Sequence, residues 1–196
     1  MSNDELFRVA EYRCFKKQGP RNTDAVLEAV DKTARELSIS NIVVATCSGE
    51  TGKKALEVLG ADRKIICVSH VTGFKGENIQ EMPTEAREEL IRKGALVFTG
   101  QHAFGGVGRA IRNKLNTYQV DEIMAFTLRM SGQGLKVCVE ICLMASDAGY
   151  IKVGEDVIAV GGTGAGADTA CVIKPANSAN ALDLKIRQVI CKPFAF

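Results

Sequence analysis

Five short runs are built almost wholly of apolar residues: "NIVVAT" (41–46), "KIICV" (64–68), "ALVF" (95–98), "DVIAV" (156–160) and "TACVI" (169–173). They lack the apolar-polar alternation of a half-exposed sheet, so they predict strands covered on both faces. Between the first four lie stretches with helical spacing. Strands alternating with helices predict βαβ units and a largely parallel sheet. The segments Ile42–Ala45, Lys64–Val68, Ala95–Phe98 and Val157–Val160 are expected in parallel in one sheet. No helix fits between the last two runs, so an antiparallel edge strand or hairpin is expected there. The expected fold is a three-layer α/β/α sandwich of one domain over residues 1–196.

The remaining elements follow from caps and periodicity. "EYRCF" (11–15) reads as a short strand and "KKQGPRNT" (16–23) as a turn. Asn22 or Thr23 is expected to cap a helix to about Leu37, with Val26, Leu27, Val30, Ala34 and Leu37 at helical spacing. A helix after "CSGET" stops at Gly60. Another opens at Pro83 or Thr84 and ends near Lys93-Gly94. A glycine-rich link, "QHAFGGVG" (101–108), leads into "RAIRNKL". Helices are expected over about Val120–Met130 and Gly134–Ala148, and "IRQVICKP" (186–193) belongs to the closing strand group. The 134–149 helix is apolar around most of its circumference. It is expected either under other helices or against another subunit, and a homo-oligomer is the favoured reading.

Composition narrows the function classes. A formal net charge of +2, with no basic stripe and interleaved aromatics, gives no support for nucleic-acid binding. No apolar run reaches the roughly 18 residues of a membrane span. The start, "MSNDELFRVAEYRC", has no secretory pattern, so a cytoplasmic location is expected. Seven cysteines, an odd number, fit reduced and mostly buried thiols. Cys138 and Cys142 share a helix face and are expected to pack in the core. With no CxxC pair and two histidines, no metal site is expected.

In open α/β sheets, ligands bind beyond the carboxyl ends of the strands. "TCSGETG" (46–52) is a strand-turn-helix junction. Ser48 can cap the helix, or the first-turn amides with the Ser48 and Thr51 hydroxyls can cradle a phosphate. "GGTGAGADT" (161–169) is neither a P-loop nor a GxGxxG turn. It is a flexible hairpin turn or a ligand wall whose glycines permit close approach. His70 and His102 fall in the two other post-strand segments. Either they are solvated loop residues or they line the site, and His102 is the better proton-donor candidate. Lys136 and Glu140, four apart on one helix face, read as an ordinary helix ion pair.

"VVATCSGETGKKAL" and "AVGGTGAGADTACVI" resemble the two effector-binding segments of the pyruvate kinase C-terminal α/β domain. The whole chain resembles a family of stand-alone archaeal and bacterial proteins with that fold, through "GPRNT" (19–23), "TGF" (72–74), "GLKVCVEI" (134–141) and "GADTA" (166–170). That family has no established reaction, and members are associated with bound flavin mononucleotide (FMN). The resemblance therefore implies an FMN site. Thr46, Ser48, Gly49, Glu50 and Thr51 would hold the phosphate. His70, Thr72, Gly73 and His102 would line the middle. Gly162, Thr163, Gly164, Gly166, Asp168 and Thr169 would face the ring. It does not imply kinase activity, because that site lies in a barrel of about 250 residues, for which 196 leave no room. Where the effector turn of pyruvate kinase often carries basic residues, this chain has Cys47 and Glu50, which suits one phosphate better than two. Two functions remain open. One is a flavin-binding protein, with an oxidoreductase as one form of it. The other is a non-catalytic sensor of a phosphorylated metabolite.

Overall fold

A computed structural model describes residues 6–60 and 62–196. Residues 1–5, on which the reading of the chain start largely rests, lie outside the described residues. Seven strands form one sheet: β1 (Arg13–Lys17), β2 (Asn41–Ala45), β3 (Lys64–Ser69), β4 (Leu96–Thr99), β5 (Val157–Gly161), β6 (Thr169–Lys174) and β7 (Lys185–Ala195). Among the described residues six α-helices flank it: α1 (Thr23–Glu36), α2 (Glu50–Leu59), α3 (Thr84–Arg92), α4 (Val107–Leu115), α5 (Val120–Arg129) and α6 (Gln133–Asp147).

The strand order is β1-β7-β6-β5-β2-β3-β4. The four apolar runs expected in parallel are adjacent: β5 pairs with β2, β2 with β3 and β3 with β4, all parallel. β5 and β6 form the antiparallel hairpin, with Val157 opposite Ile173 and Gly161 opposite Thr169. β7 then adds antiparallel to β6, and β1 parallel to β7.

Period-two alternation sorts the apolar runs onto two faces. Ile42, Val44, Ile65, Cys67, Ile158 and Val160 meet α1, α2 and α3 on one face. Val43, Ile66, Val68, Val157 and Ala159 meet the α6 layer on the other. Sheet residues on both faces are therefore covered, as the unbroken apolar runs require. The expected three-layer α/β/α architecture is the one observed.

α6 sits beneath α5 and against β2, β5 and β6, with Cys138, Cys142 and Leu143 essentially without solvent contact. Its apolar circumference is thus buried by its own chain and gives no reason for a second subunit. All seven cysteines are free, and five are buried. Burial pushes the Cys67 and Cys191 thiols up to about 12. No helix among the described residues is long and apolar enough to cross a membrane.

Candidate functional site

Strand order reverses between β2 and β5, which makes their carboxyl ends the topological switch point. A cleft of about 840 Å³ opens there. The turn after β2 and the loop after β5 form two of its walls, and the segment after β3 forms a third.

The turn after β2 follows from two glycines. Gly49 is at φ +95° and is the residue preceding α2. Gly52 lets α2 approach β3, since a Cβ there would lie 2.7 Å from Cys67 Sγ. The capping role expected of Ser48 is taken by Thr46. The buried Thr46 hydroxyl accepts the Gly52 amide at 3.3 Å, whereas Ser48 is exposed, with Oγ 3.5 Å from the Glu50 amide. Ser48 therefore stays open to the cleft. Thr46, Ser48, Glu50 and Thr51 line it, and Gly49 faces Ala86 and Leu90 of α3 instead.

The glycine loop divides by role. A Cβ on Gly162 would lie 2.4 Å from the Gly166 carbonyl oxygen. Gly166, at φ +67°, would place a Cβ 2.6 Å from Pro20 Cα. Both are needed for close approach of the chain to itself. Gly164, at φ +77°, has open space around it and lines the cleft. The reading of all the glycines as ligand wall is thus corrected to Gly164, with Gly162 and Gly166 serving the loop as well as bordering the cleft. Thr163 sits in the loop turn, its carbonyl accepting the Ala165 amide. Asp168 and Thr169 do not line the cleft. Asp168 is fully buried, accepting the Gly19 amide at 3.0 Å and the Thr169 hydroxyl at 2.8 Å. These bonds fasten the loop to the α1 entrance. Thr23 fastens it again, its hydroxyl accepting the Ala167 amide at 3.0 Å.

Of the two histidines, only His70 lines the cleft. His102 is buried behind it, its Nε2 accepting the Val71 amide at 3.3 Å. Burial lowers the His102 imidazole to about 4, against the opposing pull of Glu140. It does not line the cleft and its Nε2 is already engaged, so His102 is not placed to donate a proton to a ligand there. Thr72 and Gly73 are in the adjacent loop, where Thr72 Oγ1 accepts from Gln80 Nε2 and the Gly73 amide bonds the Ile79 carbonyl.

This imidazole makes stability pH-dependent. Its pKa is about 4 folded against about 6.5 unfolded, so between those values the unfolded chain binds more protons. Stability is expected to fall as pH drops from about 6.5 toward 4, by up to about 3 kcal/mol from this group. Urea unfolding at pH 7 and pH 4.5 measures it, and His102→Gln should flatten that part of the profile.

Lys136 and Glu140 do pair, but not at a surface. Both are nearly solvent-free, and Glu140 Oε1 also accepts the Phe104 amide at 3.1 Å. His102 Nδ1 is 4.0 Å from the same oxygen. Burial lowers the Lys136 ammonium, with Glu140 opposing. The pair anchors α6 to the loop behind the cleft.

Several cleft residues were missed in the sequence reading: Lys54, Phe74, Lys75, Ile79, Glu81 and Val137. Lys54 stands three residues beyond Thr51, so helical spacing would have found it. Val137 comes from α6, and the others reach the cleft by the path of the long loop between β3 and α3, for which no periodic signal exists. Lys54 pairs with Asp24 at 2.6 Å and Lys75 with Glu81 at 3.1 Å. Among the described residues no group of three or more His, Cys, Asp or Glu side chains could hold a metal ion.

The family model for the pyruvate kinase alpha/beta domain matches residues 24–173. The chain belongs to that family. Two solved pyruvate kinases of Cryptosporidium parvum are similar to this pyruvate kinase α/β domain. One has 14% identity and a TM-score of 0.41, covering 79% of this chain and 23% of its own. The other has 15% identity and a TM-score of 0.36, covering 71% and 20%. The domain thus spans less than a quarter of the length of either kinase. Its cleft is built from the post-β2 turn and the post-β5 loop, both inside the matched residues.

Proposed function

We propose that the cleft binds a phosphorylated flavin, FMN, with its phosphate at the 46–52 turn and its ring toward Gly164. The observation that carries this is the convergence of those two segments on one cleft at the switch point. The volume lies within the roughly 300–1,000 Å³ of small-molecule sites. The residues fit the group. Ser48 and Thr51 offer hydroxyls at the amino end of α2, where the helix dipole favours an anion, and Lys54 stands beside them. Gly164 leaves a bare backbone, and Phe74, Ile79 and Val137 supply apolar surface for a wide ring. The flavin would bring redox chemistry, and the chain would bind and orient it.

A sensor of a phosphorylated metabolite is the second reading, favoured by the two lysines in the cleft. Both ammonium groups already have carboxylate partners. Little positive charge is left over for a second phosphate, so FMN is preferred. Mass identification of ligand released by denaturation separates the two.

The direct test uses an exposed position, because Thr51 is buried and a glutamate there would disturb the turn. Ser48→Glu puts a carboxylate facing the phosphate. FMN affinity is expected to fall at least tenfold, about 1.4 kcal/mol, with riboflavin affinity little changed. Fluorescence titration with both ligands reads this. Equal FMN binding by variant and parent would remove the phosphate from that turn.

A homo-oligomer is proposed on a face other than α6. Val107, Ile111 and Leu115 of α4 lie beside Val120, Ile123 and Phe126 of α5 and the Met130 that follows it, all facing solvent, with Met130 80% exposed. No residue of α4 is buried. Apolar surface of that extent marks an interaction site, and a second copy is the proposed occupant. Light scattering should return a multiple of 21.1 kDa, and a monomer mass would refute it. The seven free thiols support a reducing, cytoplasmic location.

A further inference from the structure

His70 follows β3, and Glu81 ends the loop that leads to α3. Both line the cleft. His70 Nδ1 is 2.6 Å from Glu81 Oε2, and Lys75 Nζ is 3.1 Å from Oε1. Burial by itself raises the Glu81 carboxyl, but the bonds from His70 and Lys75 together outweigh it, and the group lies below its ordinary value. Glu81 is thus ionised at neutral pH and can only accept hydrogen bonds. Nδ1 must therefore carry a hydrogen. In the neutral ring that leaves the lone pair on Nε2. Among the described residues no hydrogen bond is made to Nε2 of His70. The backbone is held as well, since the His70 carbonyl accepts from Gln80 Nε2 at 3.3 Å. Phe74 packs on the ring at 4.2 Å between centroids.

A histidine with one nitrogen fixed by a carboxylate and the other free at a ligand cleft is the arrangement of a general acid-base. We propose that His70 is the proton-transfer residue of this cleft, exchanging a proton between Nε2 and the polar edge of the bound ring, with Glu81 as a positioning residue. The inference rests on the flavin reading above. With the ring bound, Nε2 of His70 would hold the proton exchanged at the ring edge, Nδ1 would keep its hydrogen, and Glu81 would stay ionised throughout. No other side chain facing His70 can take the role. Cys47, from the β2–α2 turn, is pushed up to about 11 by burial and the nearby Glu81. His102, 5.1 Å away from the loop after β4, is neutral with Nε2 already engaged. Lys75 is held by Glu81. Arg109 of α4 lies over Phe74, with its Cζ 5.1 Å from the ring centroid, and does not give up a proton.

The full chain has two histidines, so ¹⁵N-histidine labelling with a His102→Gln variant assigns both. Long-range ¹H–¹⁵N spectra are expected to show His70 as the Nδ1–H tautomer. FMN is the probe for the cleft. Its addition should shift the His70 Nε2 resonance. The midpoint potential of FMN-saturated protein, plotted against pH, should show a bend that depends on His70. That bend should vanish in His70→Gln and be altered in Glu81→Gln. An Nε2–H tautomer, or a bend that persists unmoved in His70→Gln, would overturn the proposal while leaving the flavin site intact. No FMN binding by the parent protein would defeat both readings.

Discussion

Gly134→Ala is expected to destabilise the protein by about 3 kcal/mol or more, although alanine in a helix normally gains about 1 kcal/mol over glycine. Gly134 is in the first turn of α6, where the helix meets the β5–β6 hairpin. A Cβ there would lie 2.2 Å from Thr169 Oγ1, 2.6 Å from Thr169 Cβ and 2.7 Å from Asp168 Oδ1. Neither neighbour can yield. Both are essentially solvent-free, Thr169 is in a strand, and Asp168 is held by the Gly19 amide and the Thr169 hydroxyl. The opposite side is equally close, since a Cβ on Gly161 would meet the Gly134 carbonyl oxygen at 2.5 Å. The helix must move out or the loop fastening must break. For a chain of this size the loss corresponds to a Tm decrease of roughly 6–12 °C. Urea denaturation measures it, and a variant as stable as the parent would show that the helix-hairpin contact is not tight.

The same contact shows what a sequence can and cannot convey. The apolar runs were legible because a strand buried on both faces has no solvent side to mark with polar residues. Ile42 to Val44 and Val157 to Val160 therefore predicted membership of one parallel sheet as well as their own conformation. The hairpin was legible from the lack of room for a helix. The place of β6 within the sheet was not, because β7 and β1 extend the sheet beyond it. Their pairing is decided by packing against α1 and leaves no local signature.

The site was legible where function and turn chemistry coincide. Thr46, Cys47, Ser48, Glu50 and Thr51 border the cleft because a strand must end and a helix begin there. Glycine was less informative. Gly162, Gly164 and Gly166 look alike in the sequence, yet a Cβ would strike the chain's own backbone at two of them and open space at the third. A glycine signals that a side chain is excluded without saying what excludes it. The histidines carry the same lesson. Near-neutral titration is a property of the free side chain, and His102 lost it to burial. His70 kept its access to the cleft and gained Glu81, a partner eleven residues away along a non-periodic loop.

Removing Lys136 is expected to be the most damaging single change near the site. Its partner Glu140 is 4% exposed, on a helix covered by the sheet and by α5. Exposed ion pairs contribute under about 1 kcal/mol, but stripping one partner from a buried pair costs about 3–5 kcal/mol because a desolvated charge is left behind. Lys136→Met keeps the volume and the apolar stem, so the loss reports the charge. The damage should extend to the cleft, since Glu140 also holds the Phe104 amide, and the neighbouring His102 holds the Val71 amide at the start of the Phe74 loop. Lys136→Met combined with Glu140→Gln removes both charges and keeps an acceptor for Phe104. It should recover most of the lost stability, because replacing a buried pair by neutral groups is far less harmful than halving it. Urea unfolding of the two single variants and the double forms a complete cycle. A double variant less stable than Lys136→Met would mean that the Glu140 carboxylate stabilises the fold even without Lys136, through bonds such as that from the Phe104 amide, and that an unpaired charge is not what makes the loss of Lys136 costly.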